Sequence, residues 1–279
     1  MNTTDIIENN YSTLTKTEKK IANFILQDQA HSLINMTLLE LSKQLRLGEA
    51  SIIRFCRKMG FRGFQDLKLS MAIESAQEEE KNRTGNTGET YSSSAVAEKM
   101  IRVIQNTDLC VNRRHLEQAV KLMGTEAQIY FYGAGSSGIT AEIAETRFIR
   151  MGRRTKAVKD SHAQTIQAAI MSPDDVVVAI SVSGATHDLF HALMIARDSG
   201  SKIIAITNHQ NSPIAKIADC VLLTNAPESP ITGGTFESIV SQLYVLDMLF
   251  SCYSANNREA VNSYREKVAI SINQKFETK

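Results

Sequence analysis

"DVVVAISVSGATHDLFHALMIARDSG", residues 175–200, decides the fold. Its opening is a continuous apolar run to Ile180, the length of a strand buried on both faces. From Thr186 onward the pattern is helical. Between the two lie Ser181, Ser183, Gly184 and Thr186, a loop unusually rich in hydroxyls. The same order recurs on either side. "AQIYFYG" reads as a strand, "GITAEIAETRFIRMG" as a helix and "RTKAVKD" as a short strand, with "HAQTIQAAIM" a helix after it. Downstream, "SKIIAIT" and "DCVLLTN" read as strands around the short helix "SPIAKIA", before the long helix "FESIVSQLYVLDMLFSCY". Five apolar strands alternating with helices imply a parallel sheet covered on both faces. Ligands of such sheets bind beyond the carboxyl ends of the strands.

Two loops at that end carry the chemistry. "YFYGAGSSGIT" places Gly133, Gly135, Ser136, Ser137 and Gly138 between a strand and a helix, as "AISVSGAT" places Ser181, Ser183 and Thr186. The first N–H groups of a helix are unpaired and partly positive, so they favour an anion. Hydroxyls add donors, and glycines let a ligand approach the backbone. The alternative is purely local: Thr186 caps its helix and Ser183-Gly184 makes a turn. A second competitor is a dinucleotide site. "GAGSSG" matches G-x-G-x-x-G, and Asp160 stands where a ribose-binding acid is expected. Two serine-rich loops favour a phosphate pocket, because the second has no role in a dinucleotide turn. A nucleophile elbow is absent, since Val182-Ser183-Gly184 lacks the leading glycine.

Composition bounds the rest. The chain has 279 residues, 43% of them hydrophobic and 22% charged, which suits a two-domain soluble protein. Its formal net charge of +1 means that any nucleic-acid site is local. Cys56, Cys110, Cys220 and Cys252 form no CxxC pair, so neither a disulfide framework nor a metal site is expected. There is no signal pattern and no apolar run of membrane-spanning length, so a cytoplasmic protein is expected.

Residues 75–95 break the chain in composition. From Glu78 to Ser94 there is one aromatic and no aliphatic residue, which reads as a linker. Before it the pattern is helical. Ile21, Phe24 and Ile25 make one buried face, with Thr15 and Glu18 as a capping box. A short helix from about Thr37, a turn at Leu47-Gly48 and a helix ended by Gly60 follow. Lys43, Arg46, Arg54, Arg57, Lys58, Arg62 and Lys68 stand here against only Glu49 and Asp66. Such a run is ordinarily a solvated face, but helix, turn and helix is also the layout whose second helix enters the DNA major groove. Ser51 and Arg54 then face bases, while Lys43, Arg57, Lys58 and Arg62 suit phosphates.

Gly133-x-Gly135-x-Ser137 followed by Ser181-x-Ser183-Gly184-x-Thr186 resembles the SIS, or sugar isomerase, phosphosugar-binding domain. "ASIIRFCRKMGFRGFQDLKLSM" ahead of it is similar to the recognition region of the RpiR family of bacterial transcriptional regulators. The resemblance implies an all-α helix-turn-helix domain (1–77), a linker (78–108) and an α/β SIS domain with a C-terminal helix (109–279), its five-stranded parallel sheet flanked by helices. It implies a regulator, expected to repress a sugar or amino-sugar operon. Double-stranded operator DNA is the partner and a phosphorylated sugar the effector, held by Ser137, Ser181, Ser183 and Thr186. Gly135 and Ser136 are ligand candidates from the same loop as Ser137, and His162 is one from its place at the strand-to-helix junction, where it is expected to touch a sugar hydroxyl. A homo-oligomer built on dimers is implied too, and "ESIVSQLYVLDMLFSCY" is either part of its contact or a core helix. SIS domains also occur in isomerases, but His162, Glu142 and Glu237 form no recognisable acid–base pair, so no catalytic residue, cofactor or metal is expected. Many relatives carry a basic residue where this chain has Ile239, which leaves the sugar open. The alternative is a redox-sensing regulator binding NAD(H).

Overall fold

The computed structural model describes residues 2–26, 33–34, 36–84, 93–124, 126–226 and 236–277. The chain divides into two compact units, one ending at Ala97 and the other beginning at Glu98.

The first unit is helical. Helix α1 (Thr3–Asn10) opens on a capping box between Asn2 and Asp5. Helix α2 (Lys16–Leu26) opens on the expected one. Thr15 N donates to Glu18 Oε2 at 2.8 Å, and Glu18 N donates to Thr15 Oγ1 at 3.3 Å. Helix α3 (Leu38–Leu45) is boxed by Thr37 and Glu40, and α4 (Glu49–Lys58) follows after a three-residue turn. Their apolar stripes meet in one core that includes Ile21, Leu41, Ile52, Phe55 and Leu67. Burial there pushes the Cys56 thiol up to about 12, so it behaves as a packed apolar group.

Helix α5 runs from Phe64 to Thr84 and α6 from Ser93 to Cys110. Both helices run into the stretch expected as a linker, 78–108. Residues 78–84 finish α5, 93–108 belong to α6, and 85–92 lie outside the described residues. The polar composition is compatible with helix, because Glu, Gln, Lys and Arg are good helix formers when they need not be buried. Within α6, Val103 and Thr107 are buried.

The second unit is the expected doubly wound domain. Five parallel strands, β1 (Ile129–Gly133), β2 (Thr155–Val158), β3 (Val176–Ile180), β4 (Lys202–Thr207) and β5 (Cys220–Leu223), lie in the order β2-β1-β3-β4-β5. Strand residues alternate between two cores, as the pleat requires. Ile129, Phe131, Val176, Val178, Ile204 and Ile206 face α7 (Arg113–Met123), α8 (Ser136–Ile149) and α12 (Phe236–Asn256). Tyr132, Val177, Ala179, Ile203 and Ala205 face α9 (Ser161–Ala169), α10 (His187–Asp198) and α11 (Pro213–Ile217). The long helix α12 buries Val245, Leu246, Leu249 and Tyr253 in the first core, so its core reading holds. The chain closes on α13 (Arg258–Glu277).

Candidate functional site

In this strand order the chain leaves β1 for one face of the sheet and leaves β3 for the other. A crevice opens between them, the topological switch point where such folds bind ligands. Gly133 pairs with Ile180, so both serine loops leave adjacent strands at one level. The structure therefore brings the two loops together. Helix α8 starts at Gly135, whose φ of 56° suits glycine, and it has no side-chain cap. Helix α10 starts at Thr186, again with no side-chain cap. By contrast α9 and α11 are capped by Asp160 and Ser212.

Thr186 thus occupies the cap position without capping. Its hydroxyl lies 3.1 Å from Ser181 Oγ, which also accepts from Gly184 N at 3.1 Å. Ser183 Oγ accepts from Ala185 N at 3.3 Å. The local reading of this loop accounts for Ser183 and Gly184 but not for Thr186. Gly184 is required by more than its φ of 59°, because a Cβ there would collide with the hydroxyls of Ser212 and Thr207. Thr207 Oγ1 in turn donates to Val182 O at 3.0 Å, so β4 braces the loop.

Ser137 is 6% exposed, and its hydroxyl accepts from Gln242 Nε2 at 2.9 Å, while Thr140 Oγ1 donates to Gln242 Oε1 at 2.8 Å. Gln242, on α12 and 1% exposed, is a residue of the candidate site that sequence reasoning missed. It stands 105 residues from Ser137, and one glutamine inside an apolar helix gives no local signal. An oxygen that accepts leaves its own proton to donate elsewhere, so Gln242 orients the Ser137 hydroxyl as a donor. Ser136 lies half-buried beside it, and His162 is exposed on the first turn of α9. Asp160, the candidate ribose acid, accepts from Ala163 N at 2.8 Å instead. That use and the strand order, which is not the dinucleotide order 3-2-1-4-5-6, both weigh against an NAD(H) site.

In the first unit α3, the turn and α4 form a helix-turn-helix. The left-handed residue of the turn is Arg46, at φ 53°, and not Gly48, which sits in extended backbone at the start of α4. Ser42 Oγ ties the turn by donating to Leu47 O at 2.7 Å. On the outer face of α4, Arg54 Nη2 donates to Ser51 Oγ at 3.0 Å, so the two form one polar unit, with Arg57 exposed one turn on. Lys43 is exposed on α3. Two residues expected at phosphates also carry an ion pair within the unit. Lys58 Nζ lies 2.8 Å from Glu18 Oε2 and donates to Thr13 O, because the last turn of α4 ends against α2. That ammonium holds the Glu18 carboxyl below its usual range, helped by Thr15 N. Arg62 pairs with Asp66 at 3.2 Å, four residues on.

Comparison with known proteins places these two units together. A helix-turn-helix domain of the rpiR family matches residues 1–78, and a SIS domain matches residues 122–252. An HTH-type transcriptional regulator of Haemophilus influenzae is 31% identical over 265 residues, 92% of this chain and 91% of that one. This chain belongs to the RpiR family of transcriptional regulators. The regulator YbbH of Bacillus subtilis is 30% identical over 271 residues, 96% of this RpiR chain and 95% of its own. The structure of the Vibrio vulnificus NanR protein complexed with ManNAc-6P superposes with a TM-score of 0.85 at 26% identity, covering 98% of this chain and 99% of that one. The full-length relatives are transcriptional regulators, not enzymes, so the helix-turn-helix of this RpiR protein is a DNA-binding element. Among the described residues no helix is long and apolar enough to cross a membrane, and no cluster of His, Cys, Asp and Glu could hold a metal.

Proposed function

We propose that this regulator binds operator DNA through α4 and senses a phosphorylated amino sugar at the β1/β3 crevice, repressing an operon that handles that sugar. The observation that carries the reading is the pair of adjacent helix starts, α8 and α10, without side-chain caps and surrounded by Ser136, Ser137, Ser181, Ser183 and Thr186. A phosphate supplies what those N–H groups lack. The NanR likeness, end to end, favours ManNAc-6P or a close relative as the effector. The half-buried Ile239 on the first turn of α12 suits an acetyl group better than a bare hydroxyl. His162 is the residue of the β2 side that meets a sugar hydroxyl. Lys43, Ser51, Arg54 and Arg57 form the DNA face, with Arg62 at its edge. A homo-oligomer belongs to the same reading, since α6 leaves Val96, Ile101 and Leu109 exposed.

Calorimetry tests the effector reading. The full chain is titrated with a panel of hexose and amino-sugar 6-phosphates that includes ManNAc-6P, with the same sugars lacking phosphate, and with NADH. Binding restricted to phosphorylated sugars is the expected result. Binding of NADH alone overturns the cradle.

A further inference from the structure

A phosphate monoester near neutral pH carries about −1.5 to −2 charges. Two helix N-termini supply about +0.5 each, which leaves about half to one negative charge unmatched. Neither "GAGSSG" nor "SVSGAT" contains a lysine or arginine. The cradle as described above is therefore short of a cation.

One lysine is packed onto the first turn of α8. Val158, the last residue of β2, pairs with Tyr132, so Lys159 leaves the sheet level with Gly133 and flanks the first serine loop on the side away from β3. Its stem lies across Gly138. A Cβ added there would come within 2.9 Å of Lys159 Cγ and 3.1 Å of Cδ. The missing side chain at 138 is what lets the lysine lie against the helix start. The ammonium reaches up α8 to Glu142 Oε1 at 2.6 Å, and both side chains are about half exposed, 48% each. The other charged or titratable groups on this segment are placed otherwise, with Asp160 capping α9 and His162 exposed on its first turn.

We infer that Lys159 is an effector ligand held in reserve. With the cradle empty its ammonium pairs with Glu142. When the phosphorylated sugar binds, the last bonds of the side chain rotate and the ammonium turns from Glu142 to the phosphate. The exchange is favourable because a half-exposed ion pair is weakly held, whereas a phosphate seated on two helix ends is a fixed, doubly charged acceptor. Glu142 then acts as a built-in competitor that lowers effector affinity. This role rests on the cradle reading and deepens it.

The test is calorimetric titration of the full chain with ManNAc-6P and with unphosphorylated ManNAc, in wild type, Lys159→Gln, Glu142→Gln and the double variant. Lys159→Gln should weaken ManNAc-6P binding roughly tenfold to a hundredfold. Glu142→Gln should strengthen it roughly twofold to fivefold, and that gain should vanish in the double variant. Melting curves show whether each variant folds, and the opposite sign of the two single variants cannot come from general damage. Wild-type affinity in Lys159→Gln, or weaker binding in Glu142→Gln, overturns the role of Lys159 while leaving the cradle standing. Wild type that binds no phosphorylated sugar overturns both.

Discussion

Lys58 and Arg54 lie one helical turn apart on α4, and the structure gives them different work. Arg54 reaches outward with Ser51, whereas Lys58 reaches back to Glu18 and Thr13. Charge and spacing alone made both look like DNA contacts, because a sequence does not show which cation has an acid waiting 40 positions upstream. The expectation for Lys58 therefore changes. Arg54→Ala should weaken operator binding and relax sequence preference by about 1–3 kcal/mol if it reads a base edge, seen in mobility-shift titrations against the operator and a scrambled duplex. Lys58→Ala should cost about 0.2–1 kcal/mol of folding stability, as a partly exposed pair does, with little effect on DNA affinity. The pairing depresses the Glu18 pKa, so its stabilisation is full above the unfolded carboxylate value and lost as pH falls through the folded one. The Lys58→Ala penalty in melting experiments should shrink in acid accordingly. Equal losses of DNA affinity in both variants would return Lys58 to the DNA face.

Among the elements, the strands and helices of the second unit were readable because each is a dense apolar run or a helical stripe bounded by Gly, Ser or Asp. The five strands, the helix after each serine loop, the capping box at Thr15 and the helix start at Thr37 stand where the pattern puts them. Two elements were not readable. Residues 75–95 look unstructured by composition, yet α6 begins within them at Ser93 and buries a narrow stripe further on that includes Val103 and Thr107. In the helix-turn-helix, Gly48 is the natural suspect for a left-handed turn, but its φ is −70° and Arg46 takes that conformation. An L-residue there carries about 1–2 kcal/mol of strain, partly offset by glycine's greater freedom in the unfolded chain. Arg46→Gly should therefore stabilise the first unit by about 0.5–1 kcal/mol in denaturant unfolding. Destabilisation would mean that the Arg46 side chain contributes more to the turn than its backbone costs.

For the whole molecule, the decisive point is that the proposed cradle and the proposed DNA face belong to different compact units, divided between Ala97 and Glu98. The hydroxyls of Ser181 and Thr186 bond each other and Ser183 accepts a backbone N–H of its own loop, so among the described residues none of the three hydroxyls bonds outside the β3–α10 connection. Replacing Ser181 and Ser183 with alanine should leave the DNA face intact. Charge-assisted hydrogen bonds to a phosphate are worth about 1.5–3 kcal/mol each. Losing two should weaken effector binding by about two to four orders of magnitude at 1.4 kcal/mol per tenfold. The double variant should then bind operator DNA like wild type and fail to respond to the sugar phosphate. In a cell where the effector releases the operator, that is permanent repression. If the serines are turn residues only, the folded variant instead keeps its effector affinity and loses melting temperature, because Gly184 N gives up its Ser181 acceptor and Ala185 N its Ser183 acceptor. Calorimetry on the folded double variant separates the two outcomes, and mobility shifts with and without ManNAc-6P show whether the DNA-binding unit still receives the signal.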